Sequence, residues 1–276
     1  MTVSRLFSFG VFAFVFCLAC PLIIYPHGYH SGYGFPTVEI VATPVDGGIR
    51  EDVPQKYKER FDRWKAELLS TEFGRQQWEA YANNKGFVLT IKVSGDKGKG
   101  AGTDKFQWDD KGKFVGATIT LGNNIENGYP NPIYYPVLNS LSAEQTTYLI
   151  SGRILAATKL SHELGHVAQA ETANQAVIEK QGRLIPEYTS IFLKNGHNIR
   201  DKKLEALVAE LGGTPIEIWE SREYWSEVTA MKYLRERIKD ENYYCFVFNK
   251  IRNNITNYAR DYVDRFEPTA MTPCGK

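Results

Sequence analysis

The sequence predicts an α+β fold, a small mixed sheet followed by a mainly helical C-terminal lobe. Three observations carry that expectation. A β-branched run at Phe87–Val93 and a hairpin pattern over Lys105–Leu121 are the strand signals. Helical spacing of apolar residues fills 54–84 and returns after Ile154. The run His162-Glu163-Leu164-Gly165-His166 falls inside that second helical stretch, where residues four apart share a face.

From the N-terminus, Met1–Arg5 carries one positive charge and precedes an apolar run from Leu6 to Cys20. That is the layout of an export leader, with a charged start and an apolar middle. Cys17-Leu18-Ala19-Cys20 resembles a bacterial lipobox, with Cys17 where an aliphatic is usual. Counting Pro21 to Tyr25, the apolar span reaches about 20 residues, enough for a membrane anchor. Residues 1–25 are therefore expected to direct export, to the periplasm, the cell envelope or the medium. Cleavage, lipidation at Cys20 and retention as an anchor, with possible membrane attachment, all stay open.

Residues 26–50, glycine-rich at Gly28–Gly34 and at Gly47-Gly48, read as a linker to a domain spanning 51–276. Tyr57, Phe61, Trp64, Leu68, Phe73, Trp78 and Tyr81 predict one or two helices broken near Phe73-Gly74. The strand 87–93 follows, then Lys105–Trp108, the turn Asp109–Gly112 and Phe114–Leu121. Gly95–Thr103 has the glycine and lysine content of a phosphate cradle without its spacing, and reads as a mobile loop. Gly128–Ser140 contains Pro130, Pro132 and Pro136, which exclude regular structure, and is expected to be a loop near the functional cleft or on the surface. Asn254-Ile255-Thr256 is a glycosylation sequon in form but lies in a helical pattern. Cys245 and Cys274 are the even pair left to the folded domain, open to a disulfide or to two buried thiols.

Composition excludes some classes. The 276 residues are 43% hydrophobic and 24% charged, with a net charge of +1, so nothing favours nucleic acid as a partner. Sixteen Tyr and fifteen Phe argue for a packed domain rather than disorder.

The chemistry rests on His162, Glu163 and His166. Two imidazoles on one helical face can hold one Zn²⁺, and the intervening carboxylate lies beside the water on the metal. Zinc lowers the pKa of that water to about 7, so Glu163 can take its proton. Ile154, Ala157, Leu160, Leu164 and Val167 supply an apolar stripe, and Gly165 is expected to leave room beside the metal.

In the form H-E-L-G-H, these residues resemble the zincin metallopeptidases. The resemblance implies a zincin-like fold, Zn²⁺ as cofactor, a third protein ligand and a peptide or protein substrate. Position 172 is Thr172, which excludes the metzincin subgroup, and Glu171 is turned away from the two histidines. Gluzincins take a Glu from a later helix in an E-x-x-A context. Glu227-Val228-Thr229-Ala230 fits, so Glu227 is the expected ligand, with Ala230 allowing close helix approach. Glu223, one turn earlier on the same face, is the competitor or a partner for a ligand histidine, and His197 is a more distant alternative. By the same resemblance, Thr118–Leu121 is the expected edge strand for an extended substrate, and Tyr224 or His197 the oxyanion donor. The expected protein is an exported zinc metallopeptidase of gluzincin type. The alternatives are a non-catalytic zinc-binding envelope lipoprotein of the same fold and a secreted effector protease.

Overall fold

A computed structural model of the chain describes residues 38–127, 151–172, 175–196 and 198–256. The leader, the proline-rich segment 128–140, His197 and Cys274 lie outside the described residues. Five strands form one mixed sheet in the order β1-β4-β5-β3-β2. They are β1 Val38–Ile40, β2 Gly48–Asp52, β3 Val88–Ser94, β4 Ala101–Trp108 and β5 Phe114–Gly122. β4 runs antiparallel to β5, while β2–β3, β3–β5 and β1–β4 are parallel pairs.

Alternation makes β3 a strand with one buried face: Leu89, Ile91 and Val93 point into the core, and their neighbours do not. β5 is paired on both sides and is buried along almost its whole length. Its continuous apolar character follows from that central position. The sequence expectation of an edge strand at Thr118–Leu121 is therefore overturned, because hydrophobicity marks the middle of a sheet and not its rim.

The rim next to β5 is β4. Three residues of β1 cover only Phe106–Trp108, with Val41 N–H extending the pairing to the Trp108 carbonyl. Among the described residues, no strand pairs with the outer side of Ala101–Lys105. Between Asp104 and Gln107 the register shifts, and Lys105 adopts φ 50°, a bulge that bends the strand where β1 begins. β4 also starts four residues earlier than the hairpin reading placed it, at Ala101. β1 and β2 fall within or reach into the stretch expected to be linker. β1 is too short to show a period, and Gly-Ile-Arg-Glu-Asp in β2 is too polar to read as a strand.

Seven α-helices complete the described fold, and the α+β class stands. In α1 (Gln55–Leu68), Phe61, Trp64 and Leu68 fall on one face and bury it completely. The break before α2 (Glu72–Ala82) comes at Leu69–Thr71, slightly ahead of its expected place. There the Thr71 hydroxyl accepts from Gly74 N–H at 2.9 Å, capping the new helix. A Cβ on Gly74 would meet the Leu68 carbonyl oxygen at 2.0 Å, so the tight corner requires glycine.

α3 (Gly152–Thr172) is the central helix, buried on nearly every side between the sheet, α1 and α6 (Pro215–Arg237). α6 begins with a reciprocal cap, Thr214 Oγ1 accepting from Glu217 N–H while Glu217 Oε2 accepts from Thr214 N–H. The main core joins α1, the sheet, α3, α6 and α7 (Glu241–Thr256). A separate small cluster of Leu184, Ile185, Leu204, Leu207 and Leu211 joins α4 (Gln175–Lys194) to α5 (Lys202–Leu211). Cys245, on α7, is disulfide-bonded. Among the described residues no helix is long and apolar enough to cross a membrane.

Candidate metal centre

His162, Glu163 and His166 occupy the middle of α3, where burial holds their rotamers. The two imidazoles meet edge to face, with Nε2 of His162 and Nε2 of His166 3.1 Å apart. Four-residue spacing on one helix produces that pairing, as the sequence requires. α6 crosses α3 at this level and brings two carboxylates.

Glu223 faces both Nε2 atoms. Its Oε2 lies 3.3 Å from His162 and its Oε1 3.5 Å from His166. Nitrogen and oxygen donors of His162, His166 and Glu223 all fall within 4.8 Å of one another, so this buried group could bind a metal ion. Glu227 stands on the other side of the first imidazole, its Oε1 3.4 Å from His162 Nδ1. It is almost completely buried and does not belong to the metal-binding group. Glu223, the competitor in the sequence reading, thus stands nearer the two Nε2 atoms than the expected Glu227. The E-x-x-A pattern lies on the helix that crosses the two histidines, and which turn reaches the Nε2 atoms depends on how far α6 slides along α3.

Gly165 explains the slide. A Cβ there would lie 3.1 Å from Ser226 Cα and 3.2 Å from Thr229 Cβ. The missing side chain makes room for α6, not for the metal as the sequence suggested. Gln169, one turn further along α3, fixes the crossing by donating to Ser226 Oγ at 2.7 Å and to the Arg222 carbonyl at 3.1 Å. Ala230 is also fully buried on α6, but the closest approach is at Gly165.

Glu163 turns towards the sheet. Thr103 Oγ1, on the half of β4 that β1 leaves uncovered, lies 2.8 Å from Glu163 Oε2, a distance for a charge-assisted hydrogen bond. On the far side of α3, Ser161 donates to Gln77 Oε1 at 2.7 Å and Gln77 returns a bond to the Ser161 carbonyl at 3.1 Å. These contacts lock the helix in rotation, so its ligands cannot turn away from α6.

Charge inside the group is balanced by protons. Burial alone would lower the His162 pKa, but the carboxylates of Glu227 and Glu223 more than reverse it and push it up to about 10. For Glu223, burial favours the neutral acid, and hydrogen bonds from His162 and His166 overcome that and hold its carboxyl well below the usual range. Glu227 is lowered in the same way, burial being outweighed by His162. A cation between two anions is what the histidine-rich side of the site accommodates, and a divalent metal can take the proton's place.

Tyr224 is fully buried within the main core, its ring edge to face with that of Trp225. Thr103, Gln169 and Arg222 are absent from the sequence-derived site. Of these only Arg222, adjacent to Glu223, carried a signal that could have been used.

Comparison with protein-family models, curated proteins and solved structures gives no match.

Proposed function

We propose that this protein is an exported, zinc-dependent metallopeptidase of zincin-like fold. The observation that carries the reading is the convergence of His162, His166 and Glu223 beside Glu163 on the same helix, next to an open strand edge. The donor set fits zinc: two neutral imidazoles and one carboxylate are the protein ligands of several catalytic zinc sites. Bound there, zinc would polarise the scissile carbonyl and bring the pKa of its water to about 7.

The chain's own residues do the rest. Glu163 takes a proton from the attacking water and delivers it to the leaving amine. Thr103 orients the Glu163 carboxylate through its hydroxyl and, being on β4, ties that orientation to the strand. The free N–H and C=O groups of Ala101–Lys105 receive an extended peptide as an added strand. Glu227 Oε1, 3.4 Å from His162 Nδ1, is the carboxylate placed to orient that ring and leave Nε2 for the metal.

A water-activating carboxylate has no use in a structural site, which disfavours the non-catalytic lipoprotein reading. The decisive experiment combines elemental analysis of the purified domain with casein cleavage in the presence and absence of chelator. Glu163→Gln should keep stoichiometric zinc and lose activity by about 10²–10⁴-fold. Iron in place of zinc would redirect the chemistry, since two His and one carboxylate also suit ferrous sites. Zinc retained with no cleavage by the wild type would leave a binding protein.

A further inference from the structure

Arg222 precedes the candidate ligand Glu223 on α6, and its guanidinium lies over the ring of Phe106 on β4, 5.8 Å from the centroid. Among the described residues its side chain makes no hydrogen bond and no ion pair. Glu223 is near enough to be felt electrostatically but is turned to the histidines. Its backbone is pinned by the Gln169 bond to the Arg222 carbonyl. An arginine in such a place is costly, because a partly desolvated cation needs a partner for its charge and its five donors. Once Glu223 is committed to a metal, the nearest carboxylate is spent as well.

The site's own geometry says where a partner would come from. Phe106 follows Thr103 by three residues on β4, about 10 Å along the strand. Thr103 touches the base Glu163, so Arg222 flanks the place where a peptide lying on the open edge would pass. We propose that Arg222 is a specificity-determining residue that binds a peptide carboxylate within about three residues of the scissile bond. This rests on the peptidase reading and narrows it to acidic substrates. The planar fork of arginine matches a carboxylate in a bidentate pair, and the Phe106 ring offers its cation a π face at 5.8 Å. The carboxylate comes from an Asp or Glu side chain or from a free C-terminus; both present the same two oxygens.

The test uses the full-length Glu163→Gln protein loaded with zinc, so that peptides bind without being cut. Fluorescein-labelled positional libraries carry Glu or Gln at one fixed position, and a parallel set ends in a free acid or an amide. At one position Glu should bind about 10-fold more tightly than Gln, and the difference should shrink as salt rises. A preference confined to the acid-versus-amide set identifies the C-terminus as the source. Adding Arg222→Gln should collapse the ratio to about one, and Arg222→Lys should restore part of it. Equal affinities for all pairs with Arg222 present overturn the proposal, as does a ratio that survives Arg222→Gln. If Arg222→Gln does not fold, as judged by zinc content and melting, the salt dependence and Arg222→Lys decide. Because the readout is binding, failure of the wild type to cleave any peptide would sink the peptidase reading and leave this result legible.

Discussion

The α3–α6 crossing and the α4–α5 pair are both contacts between two helices, yet they are built from opposite materials. At the first, His162, His166, Ser226 and Glu227 are all buried. At the second, the buried residues are Leu184, Ile185, Leu204, Leu207 and Leu211, with no ionisable group among them. The leucine seam stabilises itself by removing apolar surface from water. The polar seam cannot, since desolvated carboxylates and imidazoles contribute only when they are paired. It persists because the main core surrounds it, because Gly165 lets the backbones meet, and because Gln169 spans the gap. A polar helix crossing kept at such cost points to chemistry, whereas the leucine pair points to scaffolding.

The contrast breaks most visibly on the histidines. His162→Ala or His166→Ala should abolish metal binding in a chain that still folds, as read by metal content after gel filtration. Leu204→Ala in the other seam should cost about 2–5 kcal/mol of stability and leave the metal stoichiometry of the folded protein unchanged. Metal retained in either histidine variant would dissolve the distinction.

Next in size is the ranking of the two glutamates. Glu227→Ala should weaken zinc by about 10–100-fold, the usual cost of losing a group that orients a ligand histidine. Glu223→Ala removes a donor itself and should weaken zinc more, in competition titrations against a chelator. The reverse order would return the third position to Glu227.

A smaller effect belongs to protons. In the metal-free chain, His162 is charged up to a pKa of about 10 when folded, against 6.5 as its ordinary value. Its contribution to stability is therefore full below pH 6.5 and is lost as pH rises towards 10. Glu223 and Glu227 are depressed, so theirs is present above 4.5 and is lost as pH falls below it. Melting in chelator should drop between pH 7 and pH 10, and His162→Gln should flatten that slope. A flat wild-type curve would remove the charged triad from the metal-free state.

The smallest expected change is Gly165→Ala. The added methyl meets α6 at 3.1–3.2 Å, and overpacking of that kind costs about 1–3 kcal/mol. Replacing a mid-helix glycine returns about 1 kcal/mol, so the net loss of stability is slight. Zinc affinity should fall with it, because the methyl pushes Glu223 away from the histidines. Unchanged affinity would show that the crossing tolerates displacement.

Local pattern explains what was legible. His162, Glu163 and His166 lie within five residues, and helix geometry alone puts the imidazoles together. β3, the antiparallel pair β4–β5 and the α1–α2 break are also local, set by alternation, a turn and a cap. What was not legible depends on partners far along the chain. Whether Thr118–Leu121 is edge or centre is decided by β3 and β4, and Glu223 against Glu227 by the axial position of α6. Thr103 had no signature because a lone threonine near a glycine-rich loop looks like any other.

β1 covers only the last three residues of the β4 edge. Three residues hold it to Phe106–Trp108, with one further bond from Val41. Ile40 at its end is 57% exposed, so little apolar burial anchors it. Segments with little apolar burial open first, and their amides exchange with solvent at a fraction of the global unfolding cost. Each time β1 lifts, the footprint open to an incoming chain grows from five backbone positions to eight, Ala101 through Trp108. The stretch of backbone open to an added strand would then be set by local opening of β1 and not by the histidine-bearing helix.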